Sequence, residues 1–353
     1  MRIRFLLLCI VFITASLNAS RNAPDQLQEI EVKIETSDPS IILAGTLTIP
    51  VEVYNGTVVL MITGSGDHTR DQVISGTPMF KIMAERLASA GIASLRLDDR
   101  GTGESTGPTT TESTTADRVK DMSAALEWLR RGVEVNFTNV GVMGHSEGAL
   151  IAIVLASLDV QPDFAILLAA PTRAGGEVWV SQQMEGLRKG GFDDEAVRTG
   201  EKLLREAVRL SAGGAEPDEM TDNAKQLFLL IGIDPESEQG KANIHNFVTR
   251  MSNPWMRYFL HYDPSDDLKK LAIPVMAIYG SHDIHTIPAQ NVPGLVEGLI
   301  AAANTNYAIR ILPEQDHFFL RKPGEPVGVH VFKEMVLSSD LIEEVDHFIK
   351  TLN

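Results

Sequence analysis

The sequence predicts an α/β fold: a mainly parallel, eight-stranded sheet with helices on both faces and a helical cap inserted late in the sheet. Three observations lead there. Short continuous apolar runs, such as 57–63 and 92–97, read as strands buried on both faces. Segments with apolar residues three and four apart separate those runs, as βαβ units require. Between Pro171 and Ile273 the alternation stops, and only helical patterns continue. A connection of about a hundred residues is too long for an unstructured loop. The expected organisation is therefore a leader over residues 1–19, a first part of the core over 26–171, the cap over 172–268 and the rest of the core over 269–353.

In chain order, 30–36 and 41–49 alternate apolar with polar or small residues across the turn signal Ser37-Asp38-Pro39, which predicts an antiparallel hairpin. The strand 57–63 runs into Gly64-Ser65-Gly66. A helix should follow, capped by Thr77 with Pro78 in its first turn, striped by Phe80, Met83 and Leu87, and stopped by Gly91. After the strand 92–97 and a Thr-rich loop, Val119, Met122, Leu126 and Leu129 recur at helical spacing up to Gly132. Strands are expected at 140–143, 164–169, 274–279 and 308–312, helices at 149–158 and 341–352, and helical patterns in the cap at Val197, Leu204 and Val208 and over 227–231.

Two segments match G-x-S-x-G: Gly144 to Gly148 around Ser146, and Gly103 to Gly107 around Ser105. The motif carries chemistry only where a strand enters a sharp turn that exposes the serine and a helix leaves it. Val140 to Met143 leads into the first, and Ala149 to Val154 leads out. Ser105 is followed by Pro108 and threonines, so Ser146 is the candidate nucleophile.

A serine hydroxyl needs a histidine to take its proton, and that histidine needs a carboxylate to hold its tautomer. In this architecture the chain order is Ser, acid, His, with the last two in loops after later strands. Of the nine histidines, His317 follows the last strand, and Asp283 follows the strand before it. Asp316 is a rival acid, but a carboxylate adjacent to the histidine reaches the far side of its ring poorly. The reacting oxyanion needs two amide donors: the N–H of Glu147 after the nucleophile, and that of Ser65 in the glycine loop, with Gly66 as the alternative. The Glu147 side chain has no evident role beyond lining a pocket or starting a helix with favourable charge. His282 and His285 have metal-like spacing but lie in a loop without a third ligand, so neither a metal nor a cofactor is expected. Asp98, Asp99 and Arg100 read as a structural ion-pair corner. Trp255, Tyr258, Phe259 and Tyr262 read as residues that pack the cap onto the core or line an acyl pocket.

With these residues in hand, the chain resembles the α/β-hydrolase superfamily, in particular bacterial esterases related to its dienelactone hydrolase and prolyl oligopeptidase branches. The resemblance rests on Leu43 to Leu47 with Pro50, Gly64-Ser65-Gly66 with Arg70-Asp71, Asp98 to Ser105, Gly144 to Gly148, Trp255 to Phe259 with Tyr262-Asp263-Pro264, Gly280 to Asp283 with Asn291, and His317. It implies ester hydrolysis by Ser146, Asp283 and His317. Asp67 and His285 depart from the residues usual at those positions, which bears on acyl or leaving-group preference.

The expected activity is cleavage of small to medium carboxylic esters, the substrate being a small molecule. A peptidase of the same fold is the alternative, although no propeller-sized segment precedes the core. Haloalkane or epoxide chemistry would want Asp in place of Ser146, and a purely binding scaffold would be expected to have lost one of the three residues.

The 353 residues carry 31 Lys and Arg against 47 Asp and Glu, a formal charge of −16 with no basic run, which argues against a nucleic-acid partner. Hydrophobic residues at 44% and charged residues at 22% describe an ordinary globular chain. Arg2 and Arg4, the apolar run 5–13 and the small residues Thr14, Ala15, Ser16, Ala19 and Ser20 predict a secretory signal peptide cut near Ser16 or Ala19, an uncleaved anchor being the alternative. Export to the periplasm or medium follows, with no stable membrane insertion after cleavage. The single cysteine, Cys9, lies inside that leader, so the mature chain would have no thiol.

Overall fold

A computed structural model describes residues 27–51, 54–132, 135–213, 217–321 and 336–352; the expected leader lies outside them. Eight strands form one sheet: β1 (Leu27–Glu35), β2 (Ile42–Pro50), β3 (Thr57–Ile62), β4 (Ala93–Leu97), β5 (Asn139–His145), β6 (Ala165–Leu168), β7 (Val275–Gly280) and β8 (Tyr307–Leu312). Their order is β1-β2-β4-β3-β5-β6-β7-β8. β2 runs antiparallel to β1 and β4, and every other pair is parallel.

The hairpin register, Leu27 opposite Pro50 to Glu35 opposite Ile42, puts Val32 and Ile34 of β1 inward and its charged residues outward. The central strands have no polar face to show. On β3, Val58, Leu60 and Ile62 pack against Met122, Leu126 and Leu129 of helix α2 (Thr115–Arg131) and against helix α3 (Glu147–Ser157). The alternate residues, Val59 and Met61, pack against helix α1 (Met79–Ser89) and the C-terminal helix (Ser339–Thr351). Two-sided burial, at roughly 25 cal/mol per Å² of apolar surface, is why these strands read as unbroken apolar runs.

Between β6 and β7 the chain is helical: α4 (Gly175–Lys189), α5 (Asp194–Gly213), α6 (Pro217–Leu230), α7 (Glu238–Ser252), α8 (Pro254–His261) and α9 (Ser265–Leu268). A small core of its own, including Trp179, Leu204, Leu210, Met251, Met256 and Leu260, holds this insertion together.

Two details differ from expectation. Helix α1 begins at Met79, and Thr77-Pro78 instead form a two-residue antiparallel ladder with Val73-Ile74. A residue before proline avoids helical torsions, so Thr77 stays extended. Helix α10 (Pro288–Ala301) had no clear signal, because Pro288, Pro293, Gly294 and Gly298 interrupt its pattern. Gly294 is a packing requirement: a Cβ there would lie 2.6 Å from the Thr172 carbonyl oxygen. The same seam is closed by Asn291, whose side chain accepts from the Thr172 amide over 2.9 Å. Helix α11 is the C-terminal helix named above.

Candidate active site

Ser146 occupies the turn between β5 and α3 with φ 55° and ψ −119°, a left-handed conformation rare for a residue with a side chain. It sits where α3 starts in close approach to β3. A Cβ on Gly148 would lie 2.1 Å from the Ile62 carbonyl oxygen, so only glycine lets α3 start this close to β3. Ser146 is the N-cap of α3, yet its hydroxyl makes no capping bond, and its amide donates to Leu168 O over 2.8 Å. The Oγ is left to face the cavity at a helix N-terminus, where developing negative charge is favoured.

Asp283 and His317 meet at the C-terminal ends of β7 and β8. His317 Nδ1 lies 2.9 Å from Asp283 Oδ2. The opposite carboxylate oxygen accepts from the amides of His285 and Thr286 over 2.7 and 2.9 Å, and the Thr286 hydroxyl donates to Oδ2 over 2.7 Å. Burial alone would raise the Asp283 carboxyl, but His317 and the Thr286 donors hold it well below the usual carboxylate range. With Nδ1 committed to an ionised partner, Nε2 is the ring nitrogen of His317 left to exchange a proton, and His317 lines the same cavity as Ser146.

The glycine loop after β3 lines the same cavity through Gly64 and Ser65. The Gly64 amide is taken by Gln72 Oε1 at 2.9 Å, while no acceptor among the described residues takes the Ser65 amide. Glu147 is the first residue of α3, so its N–H has no intrahelical acceptor. The loop is fixed from beneath by Arg118 of α2, which donates to the carbonyls of Thr63 and Gly64 at 3.0 Å each. The same guanidinium lies 3.1 Å from both Asp99 and Glu147, all three being buried. Burial works against its charge, and these two carboxylates sustain it. The Glu147 carboxylate also accepts from Thr115 Oγ1 at 2.7 Å and from Trp255 Nε1 at 2.9 Å. Its side chain thus joins core to insertion, a role the sequence had not indicated.

The cavity has a volume of about 270 Å³. Its roof comes from the insertion: Val178, Trp179 and Gln182 of α4, Arg250 of α7, and Trp255, Met256 and Phe259 of α8. Trp255 stacks on Phe259 with centroids 5.6 Å apart, and Gln182 Nε2 lies 2.6 Å from His285 Nδ1. Burial, followed by the neighbouring His317, pushes the His285 ring down to about 4, so it is neutral near pH 7. A larger groove of about 890 Å³ between β1 and α2 contains none of these chemical groups.

The remaining motifs fall elsewhere. Ser105 Oγ donates to Asp98 O and accepts from Ala44 N, a buried structural hydroxyl. Asp316 accepts from the amide of Phe318, two residues on. His282 and His285 diverge, the first lining a surface depression with Ser281 and Ile287 and the second the main cavity. Asp98 holds Arg70 and Arg100 holds Asp121, so that corner is an ion-pair network. Tyr258 stacks on Tyr262 while Trp255 and Phe259 reach the cavity, which divides that aromatic set between packing and lining. Thr286, Arg118 and Gln182 went unremarked in the sequence. Only Thr286, three residues after an acid in a loop, carries a local signal.

A family model described as X-Pro dipeptidyl-peptidase (S15 family) matches residues 26–298. The chain is 24% identical over 324 residues to Esterase EstD of Thermotoga maritima, covering 91% of this chain and 67% of that protein. Among solved structures, an esterase of Pyrococcus furiosus aligns with a TM-score of 0.57 at 16% identity, over 92% of this chain and 91% of that one. An alpha/beta hydrolase from Penicillium aligns at 0.55 and 17%, over 92% and 98%. These structural likenesses are likenesses of fold.

Proposed function

The chain belongs to the X-Pro dipeptidyl-peptidase (S15) family, a hydrolase family of the α/β-hydrolase fold, and from that footing we propose that it is a serine hydrolase of small to medium carboxylic esters. The observation that carries this reading is the strained, uncapped Ser146 facing one cavity with the Asp283-held His317. In the proposed cycle Ser146 Oγ attacks the acyl carbon as its proton passes to His317 Nε2. The amides of Ser65 and Glu147 hold the oxyanion. The alcohol leaves with the proton from His317. Water then attacks the acyl-enzyme, again giving up a proton to His317, and the acid departs as Ser146 is restored. The chemistry asks for no metal or organic cofactor.

Three features support the substrate class. EstD, a relative over most of the chain, is an esterase. A cavity of about 270 Å³ falls just below the usual span of ligand sites, about 300 to 1,000 Å³, which suits a small ester. The third weighs against an exopeptidase, the second reading that the family description raises. A free peptide α-ammonium wants an uncommitted carboxylate. Among the described lining residues the one carboxylate is Glu147, already engaged by Arg118, Thr115 and Trp255. Residues 172–268 are proposed to act as the cap that sets this pocket, and residues 1–19 to direct export.

The test is hydrolysis of p-nitrophenyl acetate, butyrate and decanoate beside Ala-Pro-p-nitroanilide, by the wild type and Ser146→Ala. Short esters should be cleaved best, and the variant should lose about 10⁴-fold or more in kcat. Preferential cleavage of the anilide would replace the esterase reading with the peptidase one, and full activity in the variant would remove Ser146 from its role. N-terminal sequencing of exported protein tests the leader.

A further inference from the structure

Directly before Ser146, at the end of β5, stands a histidine that the proposed cycle does not use. His145 is 1% exposed, and its two ring nitrogens are both occupied. Nδ1 lies 2.9 Å from Gln72 Nε2, and Nε2 lies 2.8 Å from the backbone carbonyl oxygen of His317. Gln72, itself fully buried, uses its other side-chain atom, Oε1, to accept the Gly64 amide over 2.9 Å. The three bonds form one line from the glycine loop after β3 to the main chain of the loop after β8. Those strands are separated in the sheet by β5, β6 and β7.

Only one arrangement of protons satisfies this line. The Gly64 N–H must be accepted, so the Gln72 carbonyl faces it and the Gln72 NH₂ faces His145. Nδ1 must then be the acceptor, and the proton sits on Nε2, where it is donated to His317 O. Turning the amide over would set NH₂ against N–H. Moving the ring proton would leave a lone pair against a carbonyl. Each member therefore locks the next.

We infer that Gln72 and His145 are positioning residues, a neutral crosspiece that keeps the Ser65 oxyanion loop in register with His317 across the nucleophile. This rests on the hydrolase reading above. The residue types follow from the task. Position 72 needs one planar group that both accepts and donates, which glutamate and methionine cannot provide. Gln72 also holds a left-handed φ of 43°, a conformation rare at a residue with a side chain. Position 145 needs a ring that stays uncharged, because its centroid is 4.9 Å from that of His317, which must take up a proton during turnover. Burial, and then His317 itself, push His145 down to about 3, so it is neutral near pH 7.

The experiment has a mutational arm and an arm on the unmodified protein. Gln72→Met, His145→Leu, their double variant and His145→Gln are assayed with p-nitrophenyl butyrate. Rates are normalised to active sites titrated with a fluorophosphonate. A displaced catalytic loop costs on the order of 10- to 100-fold in rate, so each single apolar variant should lose that much in kcat, with KM within about threefold. The double variant should be no more than about twofold below the worse single, since both changes cut one line. His145→Gln, whose amide can still donate to His317 O, should recover most of the loss. In ¹⁵N-histidine spectra of the wild type, His145 should be the Nε2–H tautomer from pH 5 to 9. Single variants within twofold of wild-type kcat, additive losses, or a wild-type His145 that is Nδ1–H or charged at pH 7 would each overturn the crosspiece. A wild type that neither hydrolyses esters nor reacts with the fluorophosphonate would instead overturn the hydrolase reading itself.

Discussion

The indole N–H of Trp255, on inserted helix α8, donates to the carboxylate of Glu147 over 2.9 Å. Glu147 is the residue after Ser146, and its carboxylate is held from the core side by Arg118 and Thr115. One hydrogen bond thus connects the roof of the cavity to the start of the helix that Ser146 caps. Trp255→Phe keeps the stacking on Phe259 and removes the donor. A hydrogen bond to a charged group contributes about 1.5–3 kcal/mol. Thermal melts should show a lowered midpoint, and steady-state kinetics a raised KM with a smaller change in kcat. An unchanged KM would mean that the roof is set without this bond.

Among the described residues, Arg118 is the one guanidinium paired with both buried Asp99 and buried Glu147. Arg118→Met should cost about 3–5 kcal/mol, the usual penalty for stripping a buried charge of its partner. Arg205→Met, which breaks an exposed pair with Glu177, should cost under about 1 kcal/mol. Urea denaturation at pH 7 compares the two, and equal costs would contradict the importance of the buried bridge.

His145 and His285 are held down to about 3 and about 4, against an ordinary 6.5. Unfolded chains bind protons on both residues below pH 6.5 while the folded protein does not, so stability is full above that value and declines as pH falls toward 4. His145→Gln should flatten part of this decline. Chemical denaturation at half-unit steps from pH 4.5 to 8 measures it, and a stability independent of pH below 6.5 would refute buried, neutral rings.

Gly148→Ala puts a methyl 2.1 Å from the Ile62 carbonyl oxygen and 2.5 Å from that of Thr63. Backbone cannot yield as a side chain can, so α3 must shift from β3 and carry Ser146 with it. We expect a loss of about 100-fold or more in kcat, as for an ångström of misplacement, together with a lower melting temperature. A variant with wild-type kinetics would mean that the turn tolerates displacement.

Asp283→Asn should lower kcat by about 10⁴-fold, because an amide cannot hold the imidazole in the tautomer that accepts from serine. Asp316→Asn still offers an oxygen to the Phe318 amide and should stay within about threefold, the range of an isosteric change away from the reacting atoms. The reverse ordering would make Asp316 the partner of His317.

Much of this architecture was legible because the sheet strands are buried on both faces and separated by amphipathic helices. The strand after residue 56, the helix ending at Gly132 and the turn at Ser146 all follow local chemistry. Helix α10 did not, since two prolines interrupt its pattern and its glycines at 294 and 298 are there for close contacts with Thr172 and Leu268, residues distant in the chain. Asp283 and His317 could be proposed because chain order and loop position constrain them. Gln72 could not, because it lies in an irregular segment and its partners are 8 and 73 residues away.

The sequence by itself determined the eight sheet strands and most of the helices between them, that a helical stretch interrupts the alternation, and which serine, acid and histidine the topology could bring together. Those properties reside in periodicity, in turn residues and in order along the chain, each encoded within a few neighbouring positions. Only the tertiary structure decided that Glu147 joins Arg118 to Trp255, that the roof leaves about 270 Å³, and that Gln72 and His145 span from Gly64 to His317. The reason is physical: a buried polar group takes whichever partner the packed fold sets within about 3 Å, and that choice is made by surfaces meeting in space.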